Sequence, residues 1–313
     1  MAKLDKTKVK NMVKWGGKII SILSIVFVII ALFKLDFDFS SVKNWPLFIL
    51  IAIVCSFAKA VTVFMSGTAW KRWLSFFAGK KVDSREGLRV YSKANIGKYL
   101  PGNVMHYVER NLFAGGLGIS QKKLALSSLM EVGTLALSAV IISLCVSADS
   151  LFKALKKIFG QYYIVAFVLF FVMAIFCLSM VFIIIKKKFY YDGFSLFGFV
   201  KTFLGNLLLN ASVLTILATI MVILFYYMGG RPTFGEAMVI IAGYTVAWVL
   251  GFIIPGASGG IGVREMVILL LLTGIMGDLV GVLSVTHRLI TIIGDFEAYA
   301  FGMIFLKKRE KGV

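Results

Sequence analysis

The sequence predicts an all-α polytopic membrane protein with six full spans and two re-entrant Pro-Gly hairpins, or seven or eight helices if the hairpins are counted. Three observations predict this class: 59% of the residues are hydrophobic, only 16% are charged, and apolar runs of membrane-spanning length recur along the chain. A helix needs about 20 apolar residues to cross the hydrocarbon layer, whereas about a quarter of the residues of a soluble domain are charged. The mean hydropathy is +0.92. We treat residues 1–313 as a single transmembrane domain.

The apolar runs reach or approach the length of a span. They are residues 15–34, 46–70, 124–147, 162–185, 202–228, 236–255 and 279–306. We assign 236–255 to the second hairpin and the other six to full spans. The run at 15–34 follows a lysine-rich terminus, as a signal peptide does, but no small-residue cleavage site follows it. We therefore expect it to be a retained transmembrane helix.

The formal net charge is +19, which would suggest nucleic acid if the charges formed one patch. Instead, basic residues concentrate in alternate connections between apolar runs, the pattern of the positive-inside rule. The rich regions are the N-terminus, 71–93, 122–123, 186–188 and 307–311, and the poor ones are 35–45, 148–161 and 229–235. This distribution predicts a multi-pass protein of the cytoplasmic membrane with both termini in the cytoplasm. It gives no reason to expect a nucleic-acid partner.

Two segments interrupt the helical pattern, one at Pro101-Gly102 and one at Pro255-Gly256. An arginine lies nine positions after each proline and adjoins a glutamate, as Glu109-Arg110 and as Arg264-Glu265. The similarity predicts an internal repeat, with one copy at about 88–147 and the other at about 236–306. The charge bias makes the first hairpin open to the cytoplasm and the second to the exterior. Such inverted repeats support alternating access around a site near the bilayer midplane.

The same two segments resemble a known family. The resemblance is carried by Ala94-Asn95 through Leu100-Pro101-Gly102, by Gly118-Ile119-Ser120, and by Ile254-Pro255-Gly256 through Gly260-Ile261-Gly262-Val263-Arg264-Glu265. These residues look like the flippase-like transmembrane family that forms the membrane half of bacterial lysylphosphatidylglycerol synthases. The resemblance covers nearly the whole chain. It implies translocation of an anionic phospholipid or a polyprenyl-linked glycolipid across the cytoplasmic membrane.

The fused members of that family carry a soluble aminoacyltransferase domain, which this sequence lacks. We therefore expect a transporter rather than an enzyme, although the family name would suggest a phosphatidylglycerol lysyltransferase. The alternative is a membrane subunit or accessory of a lipid aminoacyl- or glycosyltransferase, with a separate transferase as partner. With two histidines, three cysteines and no Cys-x-x-Cys pair, the sequence predicts no metal site and no cofactor.

Charged residues inside apolar segments cost roughly 2.5–3.5 kcal/mol on insertion scales, so they pair or face a cavity. We predict a site for a lipid phosphate, since the planar arginine fork donates two bonds at once and glycine-rich breaks expose backbone N–H groups. The predicted headgroup ligands are Arg110, Arg264 and Arg288, with Pro101, Gly102, Asn103, Pro255, Gly256, Ser258, Gly259 and Gly260 at the breaks. The predicted counter-charges or proton carriers are Glu131, Glu265, His287 and Asp295.

Two other interpretations remain open. The same charges would serve as structural ion pairs between helices, with Arg110 and Lys98 merely at the headgroup level. A remote alternative is an intramembrane serine hydrolase, because Gly256-Ala257-Ser258-Gly259-Gly260 has the G-x-S-x-G spacing and His287 follows. The sequence has no parallel-strand pattern before that serine, as a nucleophile elbow would require.

Overall fold

The computed structural model describes residues 42, 44–100, 104–165, 168, 195–253 and 262–306, and every regular element in these ranges is helical. The all-α class is thereby confirmed. Several predictions lie outside the described residues: the span at 15–34, most of the span at 162–185, both Pro-Gly breaks and both termini.

The described α-helices are α1 (Trp45–Ala78), α2 (Ser84–Asn95), α3 (Met105–Phe113), α4 (Gln121–Phe159), α5 (Leu196–Tyr227), α6 (Phe234–Ile253), α7 (Val263–Met276) and α8 (Leu279–Phe305). Short 3-10 turns follow α2 at Ile96–Tyr99, α3 at Ala114–Leu117 and α4 at Gly160–Tyr162. Helix α1 packs against α2, α4, α5 and α8, and α6 packs against α4, α5 and α7.

Five helices are long and apolar enough to cross a membrane: α1, α5, α8, the part of α4 from Gln121 to Val146, and the part of α6 from Phe234 to Gly251. Four of them coincide with predicted spans, as expected of a membrane protein. The fifth, α6, lies in the segment that the sequence assigned to the second hairpin. Its length and composition also allow a full crossing.

Two predicted loops are wrong, because helices occupy most of each segment. The segment 71–93 was expected to be a basic loop, but α1 extends to Ala78 and α2 occupies Ser84–Asn95. Helix α1 continues because its apolar side chains Trp73, Leu74 and Phe77 are buried in the interior. The segment 148–161 was also expected to be a loop, yet α4 continues to Phe159.

The exterior and interior of this bundle differ in polarity. Large apolar side chains face outward along the spans, among them Ile53, Phe57 and Leu208, which are 58%, 64% and 70% exposed. Such faces suit hydrocarbon rather than water. Buried amides link the helices instead: Asn206 donates to the Ala69 carbonyl at 3.0 Å, and Asn210 donates to the Thr134 hydroxyl at 3.2 Å. Polar groups of this kind hold membrane helices together.

Candidate functional site

A polar cavity of about 140 Å³ lies in the interior of the bundle, lined by residues from every described α-helix. The charged residues that line it are the cations Lys59, Lys98, Arg110, Arg264 and Arg288 and the carboxylates Glu131 and Asp295. The chain thus brings together charged residues from both predicted repeats and from α1. The cations outnumber the carboxylates, so the lining is positive.

The Asp295 carboxylate of α8 forms the densest polar cluster of the cavity. Its Oδ1 accepts from Lys59 of α1 at 2.7 Å and from the Asn95 amide at 2.8 Å. Its Oδ2 accepts from Lys98 at 2.6 Å and from the Tyr99 hydroxyl. Four donors fill the hydrogen-bonding capacity of this carboxylate. The cluster therefore ties the end of α2 and its 3-10 turn to α1 and α8.

A second buried ion pair joins α3 to α4. Arg110 pairs with Glu131, and the other oxygen of Glu131 accepts from the Tyr91 hydroxyl at 2.6 Å. The guanidinium also lies 4.1 Å from the Tyr91 ring centroid and 5.3 Å from those of Trp70 and Tyr107. A guanidinium held by one carboxylate and three rings is fixed in position. This geometry fits the alternative that Arg110 is a structural ion-pair partner.

A third pair joins α7 to α8. Arg288 lies 3.3 Å from Glu265 Oε1, while Glu265 Oε2 accepts from the backbone N–H of Gly262 at 2.7 Å. Glu265 therefore caps the start of α7 with one oxygen and binds α8 with the other. An acidic side chain in the first turn also interacts favourably with the positive end of the helix dipole.

The two ion pairs occupy corresponding places in the predicted repeats. Arg110 lies 21 residues before its partner Glu131, and Glu265 lies 23 residues before its partner Arg288. In each case the Glu-Arg or Arg-Glu dipeptide after the break contacts the next long helix. The polarity of the pair is reversed between the two copies.

Arg264 differs from the other arginines of the cavity. None of the ion pairs among the described residues includes it, and its Nε has no hydrogen-bond partner. Its guanidinium lies 5.9 Å from the Trp248 ring centroid. A partly buried guanidinium with donors to spare is suited to an anion from outside the protein.

His287 lies elsewhere. Its Nε2 lies 2.9 Å from the Leu217 carbonyl and its ring packs 4.7 Å from the Tyr244 ring, and it is not part of the cavity lining. Because a carbonyl only accepts, Nε2 carries the proton. These contacts hold the imidazole in the helix packing and give no support to the serine-hydrolase alternative. Its predicted serine, Ser258, lies outside the described residues, as do Pro101, Gly102, Asn103, Pro255, Gly256, Gly259 and Gly260.

Sequence reasoning missed three members of the Asp295 cluster. Asn95, Lys98 and Tyr99 are spaced i, i+3 and i+4, which puts them on one side of a helical turn. That spacing just before Pro101 was the available signal. Lys98 was placed at the headgroup level, whereas the structure puts its ammonium on a buried carboxylate.

Glu109 is a buried carboxyl outside the cavity lining. It is 0% exposed, and neither carboxyl oxygen has a hydrogen-bond partner among the described residues. Its Oε2 would lie 2.8 Å from a Cβ added at Gly97. Burial raises the pKa of Glu109 to about 7, against a smaller opposing effect of Lys93. The carboxyl therefore takes up a proton on folding at mildly acidic pH.

We expect Glu109→Gln to flatten the pH dependence of thermal stability. The folded-state pKa is raised, so the wild type is most stable below the unfolded pKa of about 4.3 and loses stability as pH rises towards 7. The amide has no charge to desolvate, so the variant melts a few degrees above the wild type at pH 8 and level with it at pH 5. The measurement is thermal unfolding of both purified proteins in detergent. An equal difference in melting midpoint between variant and wild type at the two pH values would contradict a raised pKa.

No known protein-family model matches the chain, and a search of curated proteins finds no match either.

Proposed function

We propose that this chain translocates an anionic lipid headgroup, of a phospholipid or a polyprenyl-linked glycolipid, across the cytoplasmic membrane. One observation carries the proposal: a cavity with more cations than carboxylates is enclosed by helices whose outer faces are apolar. Burying charged residues at membrane depth costs free energy, so such residues mark a functional site by default. An anionic headgroup matches its sign, while the acyl chains stay against the exposed apolar faces.

Alternating access is the mechanism that we propose for this movement. The two predicted repeats each place an ion pair between a broken segment and the next long helix, Arg110 with Glu131 and Glu265 with Arg288. Two such contacts at one cavity are suited to opening in turn. The charge bias of the connections supports opposite orientations of the two repeats, with both termini in the cytoplasm.

The test is a flipping assay with purified protein in phosphatidylcholine vesicles that contain a trace of fluorescent phosphatidylglycerol or phosphatidic acid. We expect Arg264→Gln to slow flipping of either lipid roughly tenfold, the effect of about 1.4 kcal/mol. The matched control is Arg85→Gln, because Arg85 is exposed and does not line the cavity. It should flip lipid at the wild-type rate.

Two results would contradict the proposal. Purified wild type that accelerates flipping of neither lipid has no translocase activity on anionic lipids. Equal rates in the two arginine variants would place the activity outside this cavity. The transferase-subunit alternative predicts a different outcome: no flipping by this chain alone, and modified lipid only when a separate transferase is added.

A further inference from the structure

The charges of the cavity can be matched in pairs, and two of the matches are complete. Arg110 and Glu131 neutralise one another, as do Arg288 and Glu265. Both arginines are buried, so their charges are compensated within the protein rather than by water. Neither pair adds net charge to the site.

The remaining charges do not match. Lys59 and Lys98 share the single carboxylate of Asp295, which neutralises only one of them. Arg264 forms no ion pair with any described residue. Two positive charges are therefore left over, one at the Asp295 cluster and one at Arg264.

Two segments that adjoin the site in sequence lie outside the described residues. Residues 101–103 and 254–261 adjoin the 3-10 turn after α2 and the start of α7, and neither segment contains a charged residue. Glu109 does not line the cavity. The excess of two positive charges is thus counted over the described residues of the site.

We propose that the cavity binds a headgroup phosphate with two negative charges, a phosphomonoester or a diphosphate, between Lys98 and Arg264. This inference rests on the proposed function and narrows its substrate class. At low local dielectric an unbalanced charge is expensive, so the bound state favours a ligand that brings the site to neutrality. A phosphodiester brings one negative charge and leaves one cation unmatched. A lysylated headgroup carries positive charge and is repelled.

Lys98 is the lysine of the Asp295 cluster that can turn to the ligand. Its side chain is 22% exposed, against 10% for Lys59, and it lies on a short turn rather than within a long helix. When Lys98 contacts the phosphate, Lys59 and the Asn95 amide still hold Asp295. No carboxylate is left without a cation by this exchange.

The experiment compares three fluorescent lipids with identical acyl chains at pH 8: phosphatidic acid, phosphatidylglycerol and lysylphosphatidylglycerol. At this pH a phosphomonoester carries close to two negative charges. We expect the wild type to flip phosphatidic acid about ten times faster than phosphatidylglycerol, since one extra matched charge on the order of 1.4 kcal/mol gives tenfold, and lysylphosphatidylglycerol slowest. Lys98→Gln should remove the preference, and Lys98→Arg, which keeps the charge, should retain it.

A second measurement does not require transport. Inorganic phosphate is added to detergent-solubilised protein at constant ionic strength, with chloride as the reference, and the midpoint of thermal unfolding is recorded. We expect phosphate to stabilise the wild type and Lys98→Arg but not Lys98→Gln or Arg264→Gln. Read together with the flipping assay, this arm separates the two sources of phosphate, because a soluble phosphate ligand would stabilise the protein without any flipping of lipid.

The outcomes separate the two proposals. Equal flipping of phosphatidic acid and phosphatidylglycerol overturns the charge-selective site while translocation stands, and so does fastest flipping of lysylphosphatidylglycerol. Stabilisation by phosphate without flipping of any lipid upholds the dianion site and overturns translocation. If the protein flips no lipid and phosphate does not stabilise it, both proposals are overturned.

Discussion

Asp295→Asn is expected to be strongly destabilising, although the two side chains have nearly the same shape. The carboxylate accepts from Lys59, Asn95, Lys98 and Tyr99. Among the described residues it is the only carboxylate that pairs with the two lysines, and the substitution removes its charge. Removing one partner of a buried ion pair costs about 3–5 kcal/mol, because an uncompensated charge remains. In a chain of this size that loss lowers the midpoint of thermal unfolding by roughly 10 °C.

The control for this substitution is Asp278→Asn. Asp278 is exposed in the turn between α7 and α8, so loss of its charge should leave the midpoint unchanged. The double variant Asp295→Asn with Lys59→Gln should recover part of the loss, since one of the uncompensated ammonium groups is gone. Strictly additive losses in this double-mutant cycle would show that the two residues do not interact.

The spans were predictable from sequence because they depend on local composition. A helix in hydrocarbon satisfies its own backbone, so apolar length alone locates α1, α5 and α8. The ends of the helices were less predictable. Helix α1 continues to Ala78 because Trp73 and Phe77 are buried, and their burial depends on tertiary packing rather than on local composition. A basic pair, Lys71-Arg72, looked like the end of a span although the helix passes through it.

The individual charges were predictable, but their partners were not. The free-energy cost of burying charge singled out Glu131, Arg288 and Asp295 as residues that must pair or face a cavity. Which residues meet is decided by tertiary packing: Lys59 lies 236 positions from Asp295. Arg288 and Asp295 lie on the same helix and both line the cavity, yet Arg288 pairs with Glu265 on α7.

The comparison of Arg110 and Arg264 shows the same limit. Both follow a Pro-Gly break by nine residues and both adjoin a glutamate, so the sequence predicts equal roles. In the structure Arg110 is held by Glu131 and three aromatic rings, whereas Arg264 has no ion-pair partner among the described residues. The equivalence of the motifs predicts position in the fold, and the surrounding side chains decide which arginine is available to a ligand.

Gly294→Ala is expected to separate α1 from α8 at the level of the Asp295 cluster. A Cβ at this position would overlap the Ser56 carbonyl oxygen and lie 2.7 Å from both Cβ and Cγ of Lys59. The obstacle includes backbone, which has no rotamer to change, so the helices themselves must shift. Overpacking costs typically 1–3 kcal/mol, and displacement of Lys59 from Asp295 adds to that cost.

The matched control is Gly281→Ala on the same helix, where an added Cβ meets nothing within 4 Å. That change should be neutral or stabilise α8 by up to about 1 kcal/mol, because alanine is the better helix former. Thermal unfolding of the two alanine variants should therefore move in opposite directions, and lipid flipping should fall only in Gly294→Ala. Equal stability of the two variants would mean that α1 and α8 do not approach at Gly294, and the geometry of the Asp295 cluster would then be wrong.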